Sequence, residues 1–181
     1  MRKILFLVTI FLLNPLIAML GENVPGNKDV KSSTSTEVVD REKLVAYARN
    51  YLGSPYLYAS SNPEKGFDCS GFVYFVFKNF NISLPHASQA MVSEGTEVKA
   101  EDFKVGDVLI FYGYRNSSSI GHVGIICEAN GMQSKFIHSS SGKVKGVIIS
   151  ELGSEMYTRR FYKCIDVIGN PETKKISQSA D

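Results

Sequence analysis

Leu44, Ala48 and Leu52 recur every four residues, which places them on one face of a helix from about Val38 to Leu52. Gly53 stands where a helix is commonly ended, and Pro55 lies just beyond. From Cys69 to Phe80 the chain is almost wholly apolar, with Phe72, Val73, Phe75, Val76, Phe77 and Phe80. A second helix is predicted there, buried on all sides, with Asp68 as its N-cap. The intervening loop, Ser54 to Phe67, carries Pro, Asn, Ser and Gly. Leu84-Pro85 breaks the helical pattern, and a short helix over Ala87 to Ser93 is expected before Gly95. From Thr96 the period changes to alternation. Val108–Tyr112, His122–Cys127, Lys135–His138, Gly146–Ile149 and Arg160–Ile168 read as strands. Helices first and antiparallel strands second predict an α+β domain, its N-terminal helices packed on a small antiparallel sheet.

The two ends read differently. Arg2 and Lys3 precede an apolar run from Ile4 to Leu13, broken at Asn14-Pro15, with the small Ala18 beyond. Residues 1–20 therefore read as a secretory signal peptide, too short to span a bilayer. No cysteine precedes Cys69, so a lipid anchor on an N-terminal cysteine is not expected. Residues 21–36 are a polar linker, 37–169 the folded domain and 170–181 a polar tail. The formal net charge of +2 includes Arg2 and Lys3 and no acid from the first twenty residues, so it falls to 0 without them. The pI of 8.4 thus reflects the leader. No basic stripe or recognisable module points to nucleic acid. The expectation is an exported monomer of the periplasm or cell-wall space, without stable membrane insertion once the leader is removed.

Three cysteines in an exported chain cannot all pair with one another. Cys127 and Cys164 lie in strand-like apolar runs, where a small buried hydrophobe is the expected role of each; a bridge between them is the alternative, which the sequence does not decide. Cys69 is different, because it opens a helix. The helix dipole and the unpaired N–H groups there favour a thiolate, the nucleophilic form. Asn130-Gly131 predicts a tight hairpin between the strands carrying His122 and His138. A register shifted by one residue from the tightest turn would set the two histidines directly opposite. Cys69 can then act as nucleophile, His122 as its base and His138 as the group that fixes the tautomer of His122. The backbone N–H of Cys69 can help to hold an oxyanion. Small neighbours (Gly121, Gly124, Ser139, Ser140) leave room for a substrate. A zinc site from Cys69 and the histidines is the rival chemistry, but no compact ligand spacing supports it. His86, after Leu84-Pro85, reads as an exposed or capping loop residue.

Asp68-Cys69-Ser70-Gly71-Phe72, Leu84-Pro85, Gly106-Asp107-Val108-Leu109-Ile110-Phe111, His122-Val123-Gly124-Ile125 and Phe136-Ile137-His138 follow one another in the order and spacing of the NlpC-type cell-wall peptidases. The chain resembles that family over about residues 40 to 168. The resemblance implies a papain-like fold and cysteine-dependent hydrolysis of peptidoglycan stem peptides, commonly at the γ-D-glutamyl–diaminopimelate bond. It implies neither a metal nor an organic cofactor. The family's catalytic Cys, His and third polar residue fall on Cys69, His122 and His138. Its tyrosine that assists near the oxyanion falls on Tyr56, which by itself is an aromatic in a loop. Its substrate-holding Asp and Ser fall on Asp68 and Ser70. The family often carries Arg where this chain has His86, and two glycines where it has Ser60-Ser61; both positions would edge the substrate groove. The alternatives are a D-alanyl–diaminopimelate cross-link endopeptidase, acyl transfer by the same site, and a non-catalytic wall-binding domain of the same fold.

Overall fold

The computed structural model describes residues 39–114 and 118–169; the leader, linker and tail expected above lie outside them. Three helices are described, α1 (Arg41–Arg49), α2 (Cys69–Lys78) and α3 (Glu155–Arg160). A two-residue hairpin, β1 (Ser61–Asn62) and β2 (Gly66–Phe67), precedes α2. The remaining strands are β3 (Thr96–Val98), β4 (Val108–Tyr112), β5 (Ile120–Glu128), β6 (Lys135–Ser140), β7 (Gly146–Glu151) and β8 (Phe161–Asp166). They form one antiparallel sheet in the order β3-β8-β4-β5-β6-β7. The expected α+β layout, helices first and sheet second, is what the chain adopts.

Alternation along the strands divides the core in two. Val108, Ile110, Val123, Ile125 and Ile137 face α1 and α2 and pack with Leu44, Phe72, Val73, Val76 and Phe77. Leu109, Phe111, Ile126, Phe136 and Cys164 face the other way, under Tyr157 of α3. Cys127 and Cys164 therefore lie in different clusters, on opposite faces, and both are free thiols.

The helices depart from expectation at their ends. Asp40 caps α1 by accepting from the Lys43 N–H at 3.0 Å, so α1 starts at Arg41. It stops at Arg49 because the Tyr51 and Leu52 N–H groups turn back to Ala48 and Arg49, and Leu52 ends up exposed instead of on the buried face. The short helix at Ala87 to Ser93 is a 3-10 turn over Ala90–Ser93. Arg160, expected to begin the last strand, instead ends α3. That helix has six residues and only Tyr157 buried, too little for a periodic signal.

Arg41 ties α1 to the sheet. Its Nη1 lies 2.7 Å from Asp107 Oδ1 and donates to the Val105 carbonyl at 3.0 Å, and its Nη2 lies 2.6 Å from Asp166 Oδ2. Asp107 is fully buried at the start of β4 and also accepts from the Lys104 N–H at 2.8 Å. Removing one partner of such a pair strands the other charge. Arg41→Ala should lower the urea unfolding free energy on the order of 3 kcal/mol; a loss of under about 1 kcal/mol would contradict this role.

Candidate active site

The loop before α2 is held by its own backbone. The Tyr56 N–H donates to the Lys145 carbonyl, Leu57 N–H to Phe67, Phe67 N–H to Pro55 and Asp68 N–H to Ser60, all at 2.9–3.0 Å. Ser139 on β6 adds a hydroxyl bond to the Phe67 carbonyl at 2.6 Å. This fixes where Asp68 begins the helix. Its Oδ1 accepts from the Gly71 N–H at 2.6 Å and the Ser70 hydroxyl at 3.1 Å, and lies 3.4 Å from His86 Nε2. The His86 ring stacks on Tyr74 with centroids 5.7 Å apart. Gly71 has to lack a side chain, because a Cβ there would run into the Ser60 carbonyl and the His86 ring. Asp68, Ser70, His86 and Ser60 thus form one polar cluster at the start of α2, beside Cys69.

The histidines come from a parting of two strands. Pairing of β5 with β6 runs from Glu128↔Lys135 to Ile125↔Ile137. Beyond that point β5 continues with β4 through His122↔Phe111, while β6 continues with β7 through His138↔Ile148. The Val123 N–H, on the part of β5 that has left β6, bonds the Cys69 sulfur and favours its thiolate. The expected register is corrected here. The connection over residues 129–134 is longer than a two-residue turn, with Gln133 N–H on Asn130 O and Ser134 N–H on Gly131 O, and a bulge follows Ile126. The paired positions then set Gly124, not His122, across from His138. A Cβ on Gly124 would lie 2.6 Å from Phe136 Cδ2 and 3.0 Å from His138 Cβ. The space beside Gly124 is taken by the protein itself, not left to a ligand. Freed of that Cβ, the two imidazoles meet on the diagonal. His122 Nε2 and His138 Nδ1 are 2.9 Å apart, with the rings perpendicular.

The chain of polar groups continues past His138. Its Nε2 is 2.9 Å from Ser150 Oγ on β7 and 3.3 Å from the Tyr157 hydroxyl on α3. With the Nε2–H of His138 on Ser150, His138 Nδ1 accepts from His122 Nε2–H. His122 Nδ1 is then left as a bare lone pair, the form a base requires. Ser150 and Tyr157 were not legible as site residues. Ser150 is one polar residue in an apolar strand, and α3 gives no periodic signal.

Burial sets the charges. It pushes the Cys69 thiol up to about 11, with the Asp68 carboxylate adding to the rise and the N–H groups of Val123, Ser70 and Cys69 opposing it. The thiolate expected from the helix dipole is thus overridden by desolvation. His122 is held well below its ordinary value by burial, then by His138 and Arg160; burial and then Arg160 bring His138 down to about 3. Both directions favour a neutral thiol and a neutral imidazole at rest. The Tyr56 phenol is pushed up by burial first, with smaller contributions from Cys69 and Asp68. Among the described residues no three His, Cys, Asp or Glu side chains gather as a metal site would require.

An open cavity of about 910 Å³ lies against His122, lined also by Tyr114, Ser140, Lys143, Ser150, Tyr157 and Arg160. His122, which lines this cavity, immediately precedes Val123, whose N–H bonds the Cys69 sulfur, so an imidazole and the thiol are served by adjoining backbone. Such an arrangement suits acyl transfer from an extended substrate.

Known proteins are similar to this chain in sequence and in fold. A probable endopeptidase of Mycobacterium tuberculosis is 36% identical over 124 residues, which is 68% of this chain and 30% of that protein. A gamma-DL-glutamyl hydrolase of Bacillus subtilis is 33% identical over 116 residues, 64% of this chain and 27% of that protein. The chain therefore spans less than a third of the length of these relatives. A crystal structure of an NlpC/P60 family protein from Bacillus cereus superposes with a TM-score of 0.64 at 25% identity, covering 72% of this chain and 41% of that one. The family model described as NlpC/P60 matches residues 53–166, well over half of the sequence, and the chain belongs to the NlpC/P60 family.

Proposed function

We propose that the protein is an exported cysteine endopeptidase that hydrolyses peptidoglycan stem peptides at the γ-D-glutamyl–diaminopimelate bond. The observation that carries this reading is the 2.9 Å contact between His122 and His138 beside the thiol that opens α2. Family membership and the names of the relatives, endopeptidases and a gamma-DL-glutamyl hydrolase, support the reaction class and the bond. Export rests on the leader-like run at Arg2 to Leu13.

In this reading the peptide carbonyl lies over Cys69. As Sγ bonds to the carbonyl carbon, the thiol proton passes to His122 Nδ1, and the oxyanion forms beside the N–H of Cys69 and the Tyr56 hydroxyl. The imidazolium so formed is stabilised through His138 and its bond to Ser150. The C–N bond then breaks and the leaving amine takes the proton from His122. Water, deprotonated by His122, attacks the thioester, releasing the acid and restoring the thiol. Asp68, Ser70 and His86 hold the acyl side of the substrate. Proton transfer and attack occur together, because neither partner is charged at rest.

Mass spectrometry of digested peptidoglycan tests the assignment. The wild type should release fragments ending in γ-D-glutamate, and Cys69→Ala should fold normally and release none. Fragments from Cys69→Ala would overturn the reading. The raised thiol gives a separate expectation. Alkylation of Cys69 by iodoacetamide, located by peptide mapping, should climb about tenfold per pH unit from pH 6 to 9. A plateau already reached below pH 7 would show a depressed thiol instead.

A further inference from the structure

The cavity beside His122 carries positive charge that nothing in the catalytic scheme uses. Arg160 ends α3 and lines the cavity. Its Nε donates to the Tyr112 carbonyl at 2.9 Å, and its guanidinium carbon lies 5.7 Å from the Tyr114 ring centroid and 6.0 Å from that of Tyr157. These contacts hold the group in place and use one nitrogen. The two terminal nitrogens, the fork that fits a carboxylate, have no hydrogen-bond or ion-pair partner among the described residues. Lys143 lies on the same cavity, with the hydroxyl-bearing Ser140 and Ser141, and no Asp or Glu is among its described lining residues. A basic residue at a helix C-terminus is ordinary, but Arg159 fills that role from the exposed side, 3.9 Å from Glu155. Arg160 is instead half-buried and turned into the cavity.

We propose that this cavity is a carboxylate subsite for the leaving-group side of the substrate, with Arg160 as the specificity residue and Lys143 as a supporting charge. The polar cluster of Asp68, Ser70 and His86 is separate from this cavity, none of the three lining it, and it carries the carboxylate of Asp68 where the cavity carries two cations. The enzyme then selects peptides whose leaving residue keeps a free carboxylate over those in which that group is a carboxamide. Binding also neutralises a cation that disfavours proton uptake by both histidines, so the correct substrate makes His122 a better base when it docks.

This inference rests on the endopeptidase reading, and the test separates the two. Two synthetic stem peptides, identical except for a carboxylate or a carboxamide on the leaving residue, are digested by the full chain. The wild type should show a kcat/KM about tenfold or more higher for the carboxylate peptide, a preference that shrinks with added salt. In Arg160→Gln the ratio should fall toward one, mainly through KM, and Arg160→Lys should restore part of it. Equal rates for the two peptides in the wild type overturn the proposal while leaving the peptidase reading intact. The same holds if a folded Arg160→Gln keeps the full preference. Cleavage of neither peptide by the wild type overturns both.

Discussion

The bond between His122 and His138 exists because two neighbouring strands stop pairing. While β5 and β6 are joined, their side chains follow the ladder. Past Ile125 and Ile137 each strand follows its outer neighbour instead. The gap does two things. It frees the Val123 N–H for the Cys69 sulfur, and it lets the two rings turn together over the bare backbone of Gly124. Cys69, His122 and His138 are each positioned by that parting or by the capped helix start that faces it. The helix start is in turn held by loop bonds to β6 and to the segment before β7.

Desolvation decides the electrostatics of the site. A helix N-terminus contributes well under a typical burial shift at a packed position, and the thiol ends up raised. Both histidines are held neutral for the same first reason, burial, with Arg160 adding to it. The thiol and the two imidazoles hold no charge in waiting. Their polarity develops with the reaction, and hydrogen-bonded groups behind the base, His138 and Ser150, carry the stabilisation of the charge as it forms.

What could be read from the residues was what local patterns encode. The cap at Asp68, the buried helix from Cys69 and the principal strands follow from spacing and turn chemistry, and each lies where its pattern places it. The two histidines, sixteen positions apart on consecutive strands, share a face whenever the register keeps them in phase; their true offset depended on the length of the loop between them. Ser150, Tyr157 and Arg160 were not legible. They come from β7 and from a six-residue helix whose place is set by the return path to β8. The polar cluster around Asp68 was legible only through family resemblance, since Ser60 and His86 are remote in sequence and meet around a residue without a side chain.

The central claim is that His122 and His138 act as one unit through their shared hydrogen bond. A double-mutant cycle on kcat/KM tests it, using His122→Ala, His138→Asn and the two combined, each checked for folding. If the claim holds, the double variant is no slower than His122→Ala alone, because His138 acts only through its partner. Losses that multiply would show two independent roles and contradict the account.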